Sequence, residues 1–208
     1  MIPFHIATPQ GCNIQTFYKD STWVKPPGVS HVYTMLIGGG GNGISTQGGG
    51  SGAVTTWYGA AQHVPDSLVV SVSTGNAVNT TVNYRSSSGL IALLTANGAT
   101  TITAGTAMTA NPFAASGFFQ SVAGQAGSTS TVAASTTTFL SGGANGAGNP
   151  VTSNYGYSIT GNGDGFFQLQ PIIVGGGGVE AGKGGIGCGG GGLTTSNGGP
   201  GLVLIASW

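Results

Sequence analysis

Short segments in which apolar and polar residues alternate occur along most of the chain and predict β-strands. The predicted strands are residues 17–24, 31–37, 54–58, 68–72, 80–84, 90–95, 100–103, 118–122, 136–140, 166–173 and 202–208. Each segment is rich in β-branched or aromatic residues and is bounded by Gly, Asn, Ser or Pro. No stretch of about 11 residues or more carries apolar residues at helical spacing. The pattern therefore predicts an all-β fold, in the form of a β-sandwich.

The chain length of 208 residues is compatible with one domain. We expect a single glycine-rich β-domain over residues 1–208, with an Ala/Ser/Thr-rich insertion at about residues 96–141. The composition of this insertion suits either strands with small side chains or a loop. The pair Asn111-Pro112 interrupts the insertion. The sequence leaves both alternatives open.

Glycine clusters lie directly beside several of the predicted strands. The chain contains 42 glycines, with clusters at residues 38–43, 48–52, 175–178, 182–192 and 198–201. Because glycine loses more backbone entropy on folding than other residues, such clusters are either loose linkers or segments packed where no side chain fits. The chain is 39% hydrophobic and 4% charged, whereas disordered chains combine low hydrophobicity with high charge. We therefore expect ordered, packed clusters.

Charged residues are scarce compared with the roughly 25% of an ordinary domain. They are Lys19, Asp20, Lys25, Asp66, Arg85, Asp164, Glu180 and Lys183. The surface should consist of Ser, Thr, Asn, Gln and Gly, and a net charge of zero gives little repulsion between copies, which favours self-association. Four scattered cations cannot neutralise a phosphate track, so the composition argues against nucleic-acid binding.

The sequence predicts neither a membrane-spanning helix nor a signal peptide. No apolar run approaches the roughly 20 residues that a membrane span needs. The first residues, MIPFH, lack the basic and apolar regions of a signal peptide. A neutral, secretion-like surface without an export signal is what we expect of a virion component, which leaves the cell by assembly and lysis.

No catalytic, cofactor-binding or metal-binding residue is predicted. The segment 38–43 matches G-x-G-x-x-G and the segment 177–183 matches G-x-x-x-x-G-K, but no helical pattern follows either segment. Gly184 also stands where a phosphate loop needs Ser or Thr. The histidines His5, His31 and His63 are scattered, which favours structural roles over metal ligation. Whether Cys12 and Cys188 form a disulfide stays open.

Several motifs resemble the glycine-rich domain of phage tail-fibre and virion appendage proteins. The segment WVKPPGVSHVY at residues 23–33, followed by MLIGGGGNG at residues 35–43, is similar to the opening of that domain. The cluster 48–52, Val64-Pro65 and SSSG at residues 86–89 follow in the family's order, and the ending GGPGLVLIASW is similar to its closing strand. The resemblance covers both ends of the chain and most of its first half. The long fibre shaft is absent, and residues 96–141 have no counterpart.

The resemblance implies a β-sandwich or jelly-roll-like domain at the surface of virus particles, often concerned with host attachment. It implies other virion proteins as partners, a homo-oligomer (a trimer or an array), and a host-surface glycan or protein as a further partner. Tyr155 and Tyr157, in a polar segment, are the candidate surface-binding residues, because aromatic rings can stack on glycans.

The resemblance also suggests that the glycine clusters pack as extended, polyproline-II-like segments. Their backbone groups would bond to neighbouring segments, and the clusters 38–52 and 175–192 would lie close together. The predicted structural glycines are Gly38, Gly39, Gly40, Gly41, Gly175, Gly176, Gly177, Gly178, Gly189, Gly190, Gly191 and Gly192.

Two alternative functions remain open. The neutral surface rich in Thr and Gly also suits an extracellular structural or ice-contacting protein, although that function would need export and regular threonine spacing. The third hypothesis is a glycan-active enzyme, for which no residue spacing provides a signal.

Overall fold

The computed structural model describes residues 13–44, 47–128, 166–169, 172–175, 182–192 and 196–208. Within these residues the fold is all-β, as the sequence predicts, with antiparallel strand pairing and two short 3₁₀ turns at Ala61–His63 and Ala114–Ser116. The strands are β1 (Asn13–Phe17), β2 (Ser21–Val24), β3 (His31–Ile37), β4 (Val54–Ala60), β5 (Ser67–Ser71), β6 (Thr80–Ser86), β7 (Gly89–Ala96), β8 (Phe118–Val122), β9 (Phe166–Leu169), β10 (Ile172–Gly175) and β11 (Leu202–Ser207).

Two larger sheets and one hairpin contain these strands. The five-stranded sheet has the order β1-β11-β3-β4-β8, and the four-stranded sheet has the order β2-β5-β6-β7. Strands β9 and β10 pair with each other through Leu169 and Ile172. In the described part of the chain, no helix is long and apolar enough to cross a membrane.

One hydrophobic core joins the two larger sheets and makes the fold a sandwich. Leu36 and Trp57 of the five-stranded sheet belong to the same buried cluster as Trp23, Leu68 and Val82 of the four-stranded sheet. Each of these side chains is at most 2% exposed. Burying a side chain of this size contributes about 1.5–3 kcal/mol, so this cluster is the main source of stability that the described residues show.

A polar bridge crosses the core between the sheets. The Thr55 hydroxyl of β4 donates to the Thr95 carbonyl oxygen of β7 at 2.7 Å and also lies 2.8 Å from the Ser121 hydroxyl of β8. Ser121 in turn accepts from the backbone N–H of Met108 at 2.8 Å. The bridge satisfies buried polar groups that would otherwise cost free energy.

Two predicted strands are each divided in the structure. Residues 17–24 belong to β1 and β2, which lie in different sheets and are separated by a bend at residues 18–20. The Asp20 carboxylate at this bend accepts from the Val72 N–H at 2.8 Å. Residues 166–173 form most of the β9–β10 hairpin instead of one strand. Pro171, which stands between the two strands in the sequence, has no N–H to donate to a ladder, and this is the signal that the strand prediction overlooked.

The remaining differences concern short segments. Residues 100–103 form only an isolated bridge between Thr100 and Thr103, because these residues continue a glycine-bonded segment described below. The first four residues of β1 were not predicted as strand. The predicted strand 136–140 lies outside the described residues.

Replacing the core residue Leu36 tests the sandwich. Leu36→Ala leaves a cavity between two well-packed sheets, so the free energy of unfolding should fall by about 2–5 kcal/mol in a denaturant titration. The matched control is Leu90→Ala, the same change at a side chain that is 51% exposed. The control should cost less than about 1 kcal/mol. Equal losses at the two positions would contradict a core between the sheets.

Candidate functional site: a glycine lattice and an aromatic face

Several strands continue beyond their sheets as extended segments that bond to one another. We call this group the glycine lattice; its segments are residues 38–43, 48–53, 97–105, 124–128, 182–192 and 196–201. Residues 38–43 follow β3, residues 48–53 precede β4, and residues 196–201 precede β11. Residues 97–105 follow β7 and residues 124–128 follow β8 closely. The sandwich therefore fixes where most lattice segments begin or end.

Hydrogen bonds from residues 48–53 change partner with a period of three. The first and fourth residues donate to one segment, the second and fifth to another, and the third and sixth to a third segment. The bonds are Gly48 N to Ser128 O (3.0 Å), Ser51 N to Gln125 O (2.7 Å), Gly49 N to Gly190 O (2.7 Å), Gly52 N to Gly187 O (2.8 Å), Gly50 N to Thr101 O (2.7 Å) and Ala53 N to Asn97 O (2.9 Å). A β-strand would alternate with a period of two, whereas three residues per turn is the repeat of a polyproline-II-like helix.

Residues 38–43 follow the same rule for two of its three sets of partners. Gly38 and Gly41 donate to Ala53 and Gly50, while the N–H groups of Gly40 and Gly43 donate to Gly199 and Ser196. Each of these four bonds is 2.8–2.9 Å long. Two adjacent lattice segments therefore share one hydrogen-bonding geometry.

The lattice brings the backbones of the two sheets into direct contact. Residues 48–53 extend β4 of the five-stranded sheet, and residues 97–105 extend β7 of the four-stranded sheet. Gly50 N lies 2.7 Å from Thr101 O, and Ala99 N lies 2.8 Å from Gly39 O. Packed sheets normally stand about 10 Å apart with side chains between them. In the lattice this side-chain layer is absent and backbone bonds replace it.

Glycine is required in the lattice because there is no space for a Cβ atom. A Cβ on Gly40 would lie less than 3.0 Å from the Cys188 carbonyl oxygen, and one on Gly41 would meet the Thr101 oxygen equally closely. A Cβ on Gly52 would also lie less than 3.0 Å from a backbone oxygen, that of Gly38. The clashing atoms are backbone atoms, which cannot turn aside as the end of a flexible side chain can.

The predicted structural glycines fall into three groups. Gly38, Gly39, Gly40 and Gly41 and the buried residues Gly189, Gly190, Gly191 and Gly192 lie in the lattice. Gly49 N donates to Gly190 O, and Gly190 N donates to Gly41 O at 3.0 Å, so the first cluster contacts the described part of the second. Gly175 ends β10. Gly176, Gly177 and Gly178 lie outside the described residues.

The predicted surface-binding residues Tyr155 and Tyr157 also lie outside the described residues, as do Cys12 and His5. The structure instead presents aromatic side chains on the outer face of the five-stranded sheet, on the side opposite the core that the two sheets share. We call this surface the aromatic face; it consists of His31, Tyr33, Tyr58, Phe118 and Trp208. Tyr33 pairs with Tyr58 across β3 and β4, and Tyr58 pairs with Phe118 across β4 and β8.

Four rings of the aromatic face, those of His31, Tyr58, Phe118 and Trp208, are stacked side by side. The Tyr58 ring centroid lies 5.6 Å from that of His31, 5.8 Å from that of Trp208 and 6.1 Å from that of Phe118. Their planes differ by only 12–16°. Phe118, at the edge of the sheet, is 79% exposed. Such a row offers uncharged, polarisable surface to a ligand.

A clasp between the end of β11 and the start of β3 holds this face in place. The Trp208 carbonyl oxygen accepts from the N–H groups of Ser30 and His31, and Trp208 N donates to His31 O at 3.1 Å. The Ser30 hydroxyl lies 2.9 Å from His31 Nδ1 and 3.2 Å from Trp208 O. When the hydroxyl proton points to Trp208 O, His31 must donate to Ser30, which is opposite to the activation of a serine nucleophile.

Three of the charged side chains line one cleft of about 780 Å³ beside the four-stranded sheet: Lys25, Asp66 and Arg85. Lys25 Nζ lies 2.9 Å from Asp66 Oδ1 and donates to the Val64 carbonyl oxygen at 2.8 Å. Lys25 therefore fastens the 3₁₀ turn to the end of β2. His63 lines the same cleft. Among the described residues, no group of three His, Cys, Asp or Glu side chains could hold a metal ion.

The aromatic face was missed by sequence reasoning. His31 and Tyr33 are two positions apart in a strand, so their common face could have been noticed. Tyr58, Phe118 and Trp208 join them only through the register of three further strands, which the sequence does not specify.

A lattice glycine should tolerate alanine less well than a glycine with open space around it. Gly52→Ala places a methyl group against a backbone that hydrogen bonds hold on several sides, and should cost about 3 kcal/mol of unfolding free energy. Gly28→Ala is the control, because nothing lies within 4 Å of its Cβ position and only its φ of +80° disfavours a side chain. The control should cost about 1 kcal/mol. A Gly52→Ala protein as stable as the wild type in denaturant titration would contradict the close packing.

Tyr33 should make the protein less stable at alkaline pH. Burial raises the pKa of Tyr33 above its ordinary value of 10.0, so above that pH the folded protein holds this proton more tightly than the unfolded chain. The stabilisation is complete below pH 10 and is lost as the pH rises through the folded-state pKa. The unfolding free energy of the wild type should therefore fall more steeply above pH 10 than that of Tyr33→Phe. Tyr18→Phe, at a side chain 55% exposed, is the control and should keep the steep fall because Tyr33 is still present. Identical slopes for the wild type and Tyr33→Phe would contradict this role.

Neither a scan against protein-family models nor a search of curated proteins finds a match to this chain. What the protein does must therefore be inferred from its own residues and geometry.

Proposed function

We propose that the protein is a surface component of a virus particle, in a capsid-associated, spike or tail-appendage position, and that it contacts the host. The single observation that carries the proposal is the glycine lattice with its three-residue hydrogen-bonding period. This lattice is what the resemblance to phage tail-fibre and appendage proteins leads one to expect.

The lattice suits a part that must keep its shape outside the cell. In a β-sheet the hydrogen bonds lie in one plane, whereas residues 48–53 donate to three different segments around them. A segment that is held by hydrogen bonds in several directions should resist bending in each of those directions. The surface of the chain is also nearly free of charge, with 4% charged residues, so its packing against other virion proteins would require little charge desolvation.

The aromatic face is the surface that we assign to host contact. Tyr58, Trp208 and His31 form a stacked group at the end of the sandwich away from the lattice. Aromatic rings bind the C–H faces of sugars and the apolar parts of proteins without needing charge complementarity. The same outer face carries aromatic rings where an ice-contacting surface would need a regular threonine array, and this favours attachment over the ice-contact alternative.

Particle composition tests the virion assignment. Mass spectrometry of gradient-purified particles from the source of this sequence should find peptides of this chain at a constant ratio to the main capsid protein. Detection only in the non-particle fractions of the lysate would reject the assignment.

Host contact is tested separately with purified protein. The wild type should bind host cells, and the double substitution of Tyr58→Ala with Trp208→Ala should reduce binding by at least about tenfold, because it removes the centre of the aromatic row. Tyr18→Ala, which removes an exposed tyrosine outside that row, should bind like the wild type. If the double variant folds and binds normally, the aromatic face is not the attachment surface. Release of sugars from host envelopes would favour the enzyme alternative instead.

A further inference from the structure

Strand β8 lies at an edge of the five-stranded sheet, and no other strand of the described residues pairs with its outer side. Among the described residues, the backbone ladder of β8 runs to β4 alone. In an antiparallel edge strand, every second residue points its N–H and C=O away from the sheet. These groups form a template for another strand.

Both edges of the four-stranded sheet, β7 and β2, have features that hinder pairing. At the β7 edge, Asn111 Nδ2 donates to the Leu93 carbonyl oxygen at 2.9 Å and Met108 Sδ accepts from the Thr95 N–H at 3.2 Å. Strand β2 is only four residues long, follows Lys19 and Asp20 closely and is followed directly by Lys25. Strand β1 begins at the limit of the described residues.

No such protection is visible at β8. Its sequence FFQSV contains no charge and no proline, which are the usual means of blocking an edge. Phe118, at the start of the strand, is 79% exposed. In the described part of the chain, the neighbouring segment contacts β8 through the inward-facing Ser121 hydroxyl, which accepts from Met108 N, and no strand there bonds to the outer backbone groups of β8. An exposed aromatic side chain beside this edge offers apolar surface to a side chain on a paired strand.

We propose that β8 pairs with β8 of a second copy of this chain, antiparallel, about a two-fold axis at Gln120. The two five-stranded sheets then form one continuous ten-stranded sheet. This inference concerns the chain itself and does not depend on its being a virion protein.

The sequence of β8 is compatible with its own reversed copy. With the axis at Gln120, Phe118 faces Val122 of the second copy, Phe119 faces Ser121, and the two Gln120 residues face each other. An aromatic ring opposite a β-branched side chain is a favourable cross-strand pair. No like charges meet, and the net charge of zero adds no long-range repulsion.

The pairing would also place two aromatic faces on one side of the joined sheet. A two-fold axis perpendicular to the sheet keeps the outer faces of both copies on the same side. Because Phe118 faces Val122 of the second copy, the two Phe118 positions would lie four residues, about 13 Å, apart along the paired strands. A ligand with repeated units could bind both copies at once, which raises avidity without new contacts.

Charge substitutions at Gln120 provide a matched test in the full-length protein. Sedimentation velocity from about 1 to 100 μM should show the wild type passing from monomer to dimer, within the range of weak protein association. Gln120→Lys and Gln120→Glu should each weaken dimerisation by at least about tenfold, because like charges face each other at the axis. An equimolar mixture of the two variants should regain a dimer, since opposite charges now meet.

Controls separate this site from general effects of charge or unfolding. Ser87→Lys adds the same charge at the exposed β6–β7 turn and should dimerise like the wild type. Amide exchange of residues 118–122 should slow with protein concentration in the wild type and not in Gln120→Lys. A wild type that is monomeric at 100 μM, a Gln120→Lys protein that still dimerises normally, or a mixture that fails to regain the dimer would each overturn the proposal.

Discussion

Direct contact between backbones of the two sheets, with no side chains between them, is the constraint on which the rest of the structure depends. Over residues 54–60 the sheets are separated by core side chains such as Trp57. Over residues 48–53 the extension of the same strand hydrogen-bonds to the extension of β7 from the other sheet. The change from large apolar residues to glycine at Gly52 and Gly38 marks the place where the sheets converge. The replacement of large apolar residues by glycine therefore sets the distance between the two sheets at each position along the strands.

The lattice depends on the sandwich for its stability. Ordering one residue costs roughly 1–2 kcal/mol of backbone entropy, and more for glycine, while one hydrogen bond contributes only about 0.5–1.5 kcal/mol net. Segments of glycine would not hold together on these terms alone. Strands β3, β4, β7 and β11 hold one end of each of four lattice segments in place. Packing of the core therefore reduces the backbone entropy that these segments still lose when the lattice orders. In turn, backbone hydrogen bonds of the lattice join the two sheets at one end of the sandwich.

The sequence predicted the all-β fold and most of the described strands, because alternation is a local signal. Alternation and glycine runs can be counted along the chain. The lattice partners could not be predicted: residues 97–105 contain only Gly98 and Gly105, yet Thr101 O accepts from Gly50 N. Thr101 adopts a φ of +45°, which is unusual for a β-branched residue, and its N–H is held by the Asn76 side chain at 2.7 Å. The aromatic face likewise depends on strand register, which emerges only when distant segments pair.

Amide hydrogen exchange through residues 48–53, followed residue by residue by NMR, tests the convergence of the sheets most directly. If these residues form a lattice segment, all six consecutive amides, Gly48 to Ala53, are protected to a similar degree, although their partners lie in three different segments. The Gly52→Ala substitution should then lower amide protection simultaneously in all the lattice segments that contact residue 52. Fast exchange throughout residues 48–53, in a protein whose β3 and β4 amides remain protected, would contradict the account.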